Sequence, residues 1–442
     1  MNTPIADFVR EYSAKNTARF HMPGHKGKIY LGCESLDITE ITGADALYEA
    51  DGIIKQSEDN ASKLFGTGVT LYSAGGSTQC IKAMLYLAAT DGRNTGNVIL
   101  AARNVHKAFV FAAAQIGFDT QWLYGGENKS ICSCDITAQD VENALKAMEI
   151  PPIAVYVTSP DYLGNMLDIK EISAVCHRYG TLLLVDNAHG AYLHFLKEPC
   201  HPMDLGADMC CDSAHKTLPV LTGGAYLHIN ERISGNYLKS AKPAMGMFGS
   251  TSPSYLILAS LDLCNKYLSS GYTQKLESTA AKVENIRKKL RENGWEVQKS
   301  DQMRITVAAP EEMTGTDLAE RLSEHNARCE YADRDFLVLM ITPENTDEEL
   351  KIILRAFGKN NKPSKKTPVL PTARASAAMS IRNALFAPHE CIKADRAQGR
   401  ICAAPTVSCP PAVPIAVSGE LIGKAEIELF NYYGIDMIDA VK

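Results

Sequence analysis

Apolar and polar positions change rhythm several times along this chain, and the changes mark its elements. From about residue 97, short apolar runs alternate with amphipathic stretches. Residues 98–101, 120–124, 153–157, 181–185 and 208–211 read as strands. Residues 104–116, 135–148 and 168–179 read as helices between them, the second capped by Asp135. Continuously apolar strands separated by helices predict a largely parallel sheet with helices on both faces. Ligands of such sheets lie beyond the carboxyl ends of the strands. Four of those ends are rich in polar chemistry: Arg103–Lys107, Thr158–Tyr162, Asp186–Tyr192 and Asp212–Lys216.

Upstream, residues 4–16 and 57–65 read as helices, the second ending at Gly66. An extended segment from Val69 then runs into Gly75-Gly76-Ser77-Thr78, and a helical pattern covers Gln79–Ala89. Backbone amides and hydroxyls at a helix start can hold a phosphate. Ser and Thr also favour that position as plain caps. The glycine spacing matches neither a P-loop nor a dinucleotide fingerprint.

Downstream, Leu221–Leu227 reads as a returning strand, and 252–269 and 273–293 as helices. After Gly294 a new alternation begins, with strands at 296–297, 303–307 and 336–339 and helices at 315–325 and 347–357. That predicts a small α/β domain. A basic linker, 359–366, leads to a tail in which Pro405–Pro414 excludes a central strand or helix. The expected division is an N-terminal segment with a pocket loop (1–50), a large domain (51–294), the small domain (295–358), and the linker with the tail (359–442).

Composition narrows the function class. With 45% hydrophobic and 22% charged residues the 442-residue chain is ordinary globular material of more than one domain. A formal charge of -6 and a basic cluster without aromatics argue against a nucleic-acid partner. No basic-then-apolar leader opens the chain and no run of about 18 apolar residues occurs, so neither a secretion signal nor a membrane helix is expected. Thirteen cysteines without C-x-x-C pairs suit reduced thiols in the cytoplasm. For the same reason the acceptor patterns at Asn60 and Asn128 carry no weight. His21 and His25 have helical metal-ligand spacing, but Pro23 and Gly24 break the helix between them. That stretch reads as a pocket-lining loop, and no metal is expected.

Lys216 is the pivotal residue. A lysine at a buried strand end can have its amine desolvated, which lowers its pKa and frees it to form an imine with an aldehyde. Such a lysine, Asp186 at a neighbouring strand end and the Ser77-Thr78 helix start are what pyridoxal phosphate requires: an amine for the aldehyde, a carboxylate for the ring nitrogen, donors for the phosphate.

Several stretches resemble the Orn/Lys/Arg decarboxylases of the aspartate-aminotransferase fold. They are His21-Met22-Pro23-Gly24-His25-Lys26-Gly27, Asp37–Glu40, Gly52–Lys55, Ser213-Ala214-His215-Lys216, Ser250–Tyr255, and Pro410–Pro414 followed by Gly419-Glu420. The resemblance covers nearly the whole chain. It implies an α/β fold, PLP fold type I, with a mostly parallel sheet in the large domain, a small α/β C-terminal domain and a tail segment. It implies pyridoxal 5'-phosphate and a cytoplasmic enzyme that decarboxylates arginine, lysine or ornithine to the amine, a step of polyamine biosynthesis. By resemblance, Lys216 is the Schiff-base lysine, Asp186 the partner of the ring nitrogen and His106 the ring-stacking residue. Ser77, Thr78, Ser213 and His215 hold the phosphate, and His189 also binds the cofactor. Thr251 or Ser252 reaches a partner subunit's cofactor in a homodimer or dimer of dimers. His25 and Glu420 border the substrate.

The chain departs from the family pattern in three places. The wing domain of the large members is absent ahead of the Met22-Pro23-Gly24-His25 motif, which puts any decamer built through it in doubt. Asn187 stands where an acidic residue is expected, and Ser418 precedes Gly419-Glu420 where proline is expected. Two other readings stay open. One is transamination or β-elimination on the same scaffold, with Arg304 as a candidate carboxylate grip. The other is a catalytically silent cofactor-binding protein.

Overall fold

The structure, a computed structural model, describes residues 1–92, 96–126, 130–363, 365, 370–371, 373–405 and 411–442. Asn128, Ser364, Lys366 and residues 406–410, named above, lie outside the described residues. Twelve strands are described: β1 Val69–Ser73, β2 Val98–Ala102, β3 Asp119–Leu123, β4 Ala154–Thr158, β5 Leu182–Asp186, β6 Met209–Asp212, β7 Ala225–Ile229, β8 Arg304–Ala308, β9 Tyr331–Ala332, β10 Phe336–Met340, β11 His389–Lys393 and β12 Met437–Val441.

The chain divides into two compact units. The first comprises Met1–Asn94 and Ile169–Leu276, the second Thr95–Asp168 and Glu277–Lys442. In the first, the strands lie in the order β1-β7-β6-β5. β5 and β6 are parallel, with Asp186 opposite Cys211. β7 runs antiparallel to both β6 and β1. β5, β6 and β7 are buried along their whole length, as their apolar sequences require of strands covered on both faces. Helix Ile53–Phe65 stops where Gly66 takes the left-handed conformation at φ 61. The first helix, Pro4–Ala14, is anchored by the Asp262 carboxylate, which accepts from the amides of Ile5 (2.9 Å) and Ala6 (3.0 Å).

In the second unit, β4-β2-β3 form a wholly parallel set. β8-β10-β9 are antiparallel, and β11 pairs with β12. Thr137, Thr314 and Thr346 start their helices with capping boxes completed by Asp140, Asp317 and Glu349. The three-stranded sheet buries Ile305, Val307 and Leu337 against Val283, Leu318, Ile353 and Trp295.

Most elements fall within a few residues of their expected bounds, with informative exceptions. The helix expected to begin with an Asp135 cap is capped by Thr137, whose side chain pairs reciprocally with Asp140. The strand expected at 296–297 is a single bridge between Val297 and Val307. Helices Glu231–Tyr237 and Ala241–Met247, and the tail's helices Ile381–Phe386 and Lys424–Tyr432, were not expected. Each is nine residues or shorter, too short to establish a helical period. The hairpin β11–β12 joins strands far apart in sequence, and β11 is mostly exposed, so it has no apolar run to announce it.

Candidate active site

The polar ends of β5 and β6 sit side by side in the first unit. Asp186 ends β5 and is 2% exposed. Its Oδ1 accepts from the Ala188 amide at 3.2 Å and from the Cys211 thiol at 3.6 Å. The chain then turns through Ala188 and His189, closed by the Gly190 amide donating to Asn187 O at 2.8 Å. Beyond β6, Ser213 leads into a one-turn helix, Ala214–Thr217, which carries His215 and Lys216. The expected strand-end turn is therefore helical. It points the Lys216 amine at His189, with Nζ 2.8 Å from Nε2.

A third element arrives from below β1. Ser73 ends that strand, Gly76 takes φ 71, and helix Gly76–Ala89 begins at once. A side chain on Gly76 would be strained, so the turn is written into the glycine. The first-turn amides of a helix lack intrahelical partners and face outward. Ser77 and Thr78 occupy that turn, and the Ser213 hydroxyl donates to Ser77 Oγ at 2.8 Å. His215 is fixed through Nδ1, which donates to Gly224 O at 2.9 Å. The structure thus brings together Ser77, Ser213, Asp186, His189 and Lys216. A helix start with two hydroxyls suits an anion. A buried carboxylate and an amine in contact with imidazole suit chemistry at nitrogen.

Behind Lys216 lies a network that sequence reasoning missed. Asp212 is fully buried, and its carboxylate takes three hydrogen bonds. Oδ1 accepts from Asn187 Nδ2 at 2.6 Å; Oδ2 accepts from His201 Nε2 at 3.0 Å and His228 Nε2 at 3.2 Å. A carboxylate only accepts, so both imidazoles carry their proton on Nε2. The Met203 amide donates to His201 Nδ1, and Thr70 Oγ1 lies 2.8 Å from His228 Nδ1. Burial pushes the Asp212 carboxyl up, but the two imidazoles outweigh it and hold the group below the usual carboxylate range. Burial pushes His228 down, towards the neutral ring. His201, Cys210 and Asp212 have ligand-like spacing, within 4.8 Å of one another. The imidazole N–H directed at the carboxylate makes this a hydrogen bond. The sequence did hold a signal: His228 is the one imidazole in the buried run Ala225-Tyr226-Leu227-His228-Ile229.

Three further expected residues of this unit stand apart from that network. His25 accepts from the Gly27 amide through Nδ1 at 3.0 Å and faces Asp37 Oδ2 through Nε2 at 3.1 Å. Thr251 and Ser252 are exposed.

His106, Glu420 and Arg304 belong to the second unit. His106 caps helix Lys107–Ile116, its Nδ1 accepting from the Ala108 amide at 3.1 Å. Glu420 is 3% exposed and pairs with Arg103 Nη2 at 3.1 Å. Arg103 also donates to Pro414 O (3.0 Å) and Ile415 O (2.8 Å), so one guanidinium holds both the carboxylate and the tail backbone. Burial pushes the Glu420 carboxyl up, opposed by Arg103. Arg304 is 1% exposed; it pairs with Asp301 at 3.2 Å and donates to the carbonyls of Asp161 and Tyr162.

The family model for the Orn/Lys/Arg decarboxylase major domain matches residues 3–344. The chain belongs to the Orn/Lys/Arg decarboxylase family. It is a decarboxylase by that membership. Among curated proteins, arginine decarboxylase of Bacillus subtilis is 29% identical over 460 residues, covering 96% of this chain and 92% of that protein. Arginine decarboxylase of Bacillus anthracis is 29% identical over 463 residues, with the same coverage of 96% and 92%. Among solved structures, the lysine decarboxylase of Francisella novicida superposes with a TM-score of 0.81 at 16% identity, covering all of this chain and 81% of that one. Alanine–glyoxylate aminotransferase from Nostoc superposes with 0.54 at 16% identity over 69% of this chain and 85% of that one. These likenesses bear out the α/β fold of the aminotransferase type expected from the sequence.

Proposed function

We propose that this decarboxylase acts on a basic L-amino acid (arginine, lysine or ornithine) with pyridoxal 5'-phosphate, releasing CO2 and the amine. The observation that carries the reading is the Lys216 amine in contact with His189, on the same unit as the buried Asp186 and the Ser77–Ser213 hydroxyl pair. These groups fit the cofactor: an amine for its aldehyde, a carboxylate for its ring nitrogen, hydroxyls and helix amides for its phosphate. When bound, pyridoxal phosphate supplies a carbonyl carbon for amines and a protonated pyridine that accepts the electrons left when CO2 departs.

The chain's own residues then have separate tasks. Lys216 presents the amine, and the His189 ring orients it. Asp186, buried and prefixed by the Ala188 amide, keeps a proton on a neighbouring ring nitrogen at no reorganisation cost. Ser77, Thr78, Ser213 and His215 hold the anion. For His106, Thr251, Ser252, His25 and Glu420 the support is the family resemblance. The names of the Bacillus relatives make arginine the first substrate to test. A homodimer and a role in polyamine biosynthesis belong to the same reading. Phe20, Ile29, Tyr30 and Leu31, at least 78% exposed on the N-terminal loop, support an interface between copies. Among the described residues no helix is long and apolar enough to cross a membrane. Free cysteines support the cytoplasm.

Arg304 gives no support to transamination, since its guanidinium is committed to Asp301 and backbone carbonyls. The test is incubation with arginine, lysine and ornithine while CO2 and keto acid are measured. CO2 with the matching amine is expected; keto acid without CO2 overturns the proposal.

A further inference from the structure

Asp212 has no assigned task in the reading above, yet it sits one residue before Ser213 and four before Lys216. It is also tied sideways to the strand that carries Asp186. The Asn187 amide donates to Cys211 O at 3.0 Å, and the Asn187 side chain donates to Asp212 Oδ1 at 2.6 Å. These two bonds lock the residue after Asp186 to the residues before the lysine turn. No lysine or arginine is paired with Asp212 among the described residues; its donors are one amide and two imidazoles. Other titratable groups that face the Asp212 charge are Cys80, Cys210, Cys211 and Tyr226. Burial pushes all four up, so none adds charge. A buried negative charge therefore stands directly behind the lysine site.

We infer that Asp212 is a positioning residue with an electrostatic role. Through Asn187 it fixes the spacing between Asp186 and the Lys216 turn, and its charge favours the protonated form of a cofactor bound to Lys216. The inference rests on the cofactor reading above. It also accounts for Asn187: an acidic side chain there would place a second carboxylate against Asp212, whereas the amide supplies a donor.

The geometry provides a nearly isosteric substitution that removes the charge. Asn187 Oδ1 is buried without a hydrogen-bond partner. In Asp212→Asn, the new Oδ1 can accept from His201 and His228. Its Nδ2 can donate to Asn187 once that amide rotates. The three hydrogen bonds at position 212 can re-form while its charge is lost. Adding Asn187→Asp returns the charge to the other side of the same hydrogen bond.

The experiment is a pH titration of the visible absorption band of wild-type, Asp212→Asn and Asn187→Asp/Asp212→Asn proteins, each loaded with pyridoxal phosphate. A negative charge favours a protonated neighbour. Its removal should therefore lower the titration midpoint, by about one pH unit for charges several ångströms apart in a protein interior. The double variant should return towards wild type. An unchanged midpoint in Asp212→Asn overturns the inference while the cofactor reading stands. A wild-type protein that acquires no band overturns both. Should Asp212→Asn not fold, Asn187→Ala decides: a roughly tenfold weaker cofactor affinity is expected from loss of the clamp, and an unchanged affinity overturns it.

Discussion

The Lys216 amine lies 2.8 Å from Nε2 of His189, and the two residues come from different strand ends of one unit. His189 is 5% exposed and Lys216 is half-buried, so the contact is partly shielded from water. If Lys216 forms the link to the cofactor, Lys216→Ala removes both the visible band and CO2 release. His189→Phe keeps the ring shape but removes the nitrogen that meets the amine. It should lower kcat/KM for decarboxylation by about 10²-fold, the usual contribution of a well-placed proton-exchanging group. The band should persist in that variant. Steady-state CO2 assays and an absorption spectrum check both statements.

How far this site could be read in the sequence depended on what each residue needs from its neighbours. Lys216, Asp186 and the Ser77 helix start are local: a polar residue after an apolar run, or a Gly-Gly turn before a helix. Their strand-end positions follow from alternation alone. Asp212 was in view as part of the same stretch, but its partners His201 and His228 lie on other segments. Only strand order joins them: His228 is opposite Cys210 across an antiparallel pair. The Arg103–Glu420 pair spans 317 residues and could not be found by spacing. The missed short helices have the same cause, since tertiary packing holds segments whose own period is too brief to register.

Arg103 and Glu420 give a stability prediction. With the guanidinium 3.1 Å from a nearly buried carboxylate, Arg103→Met leaves Glu420 without its counter-charge. Removing one partner of such a pair destabilises by about 3–5 kcal/mol. Burial already raises the Glu420 carboxyl, and loss of Arg103 raises it further. A raised carboxyl favours the protonated form in the fold, so its stability contribution is present at low pH and lost as pH rises through the folded value. Urea unfolding should therefore show a variant deficit that grows from acidic to neutral pH. Arg103→Met with Glu420→Met should recover much of the loss. A deficit independent of pH would contradict this account.

Glu34 predicts the opposite pH dependence. Its carboxylate accepts from the amides of Tyr30 (2.9 Å), Leu31 and Gly32 (2.9 Å), so one side chain organises the exposed apolar loop. These amides, led by Leu31, lower its pKa from 4.5 to about 2. A depressed carboxyl stabilises above its ordinary value and loses that contribution as pH falls towards the folded one. Hydrogen exchange at the Tyr30, Leu31 and Gly32 amides should accelerate between pH 4.5 and 2 relative to that of Glu34→Gln. In Glu34→Gln it should already be fast at neutral pH.

Gly190 tests the packing beneath the lysine site. Its φ is an ordinary -122, so backbone strain is not the reason for glycine. A Cβ there would stand 2.1 Å from Asn187 Oδ1 and 2.6 Å from Leu193 Cδ1, so Asn187 must move to admit it. Moving Asn187 breaks its 2.6 Å bond to Asp212 and leaves that buried carboxylate with only the imidazoles. Gly190→Ala should cost about 1–3 kcal/mol as an overpacked site. Because the overpacking acts through Asn187, it should also weaken cofactor binding. The paired variant Gly190→Ala/Asn187→Ala removes the obstructing amide, so it should regain thermal stability without regaining cofactor affinity. Thermal unfolding and cofactor titration, run on the same preparations, separate the two effects. Recovery of both together would mean that Asn187 only fills space.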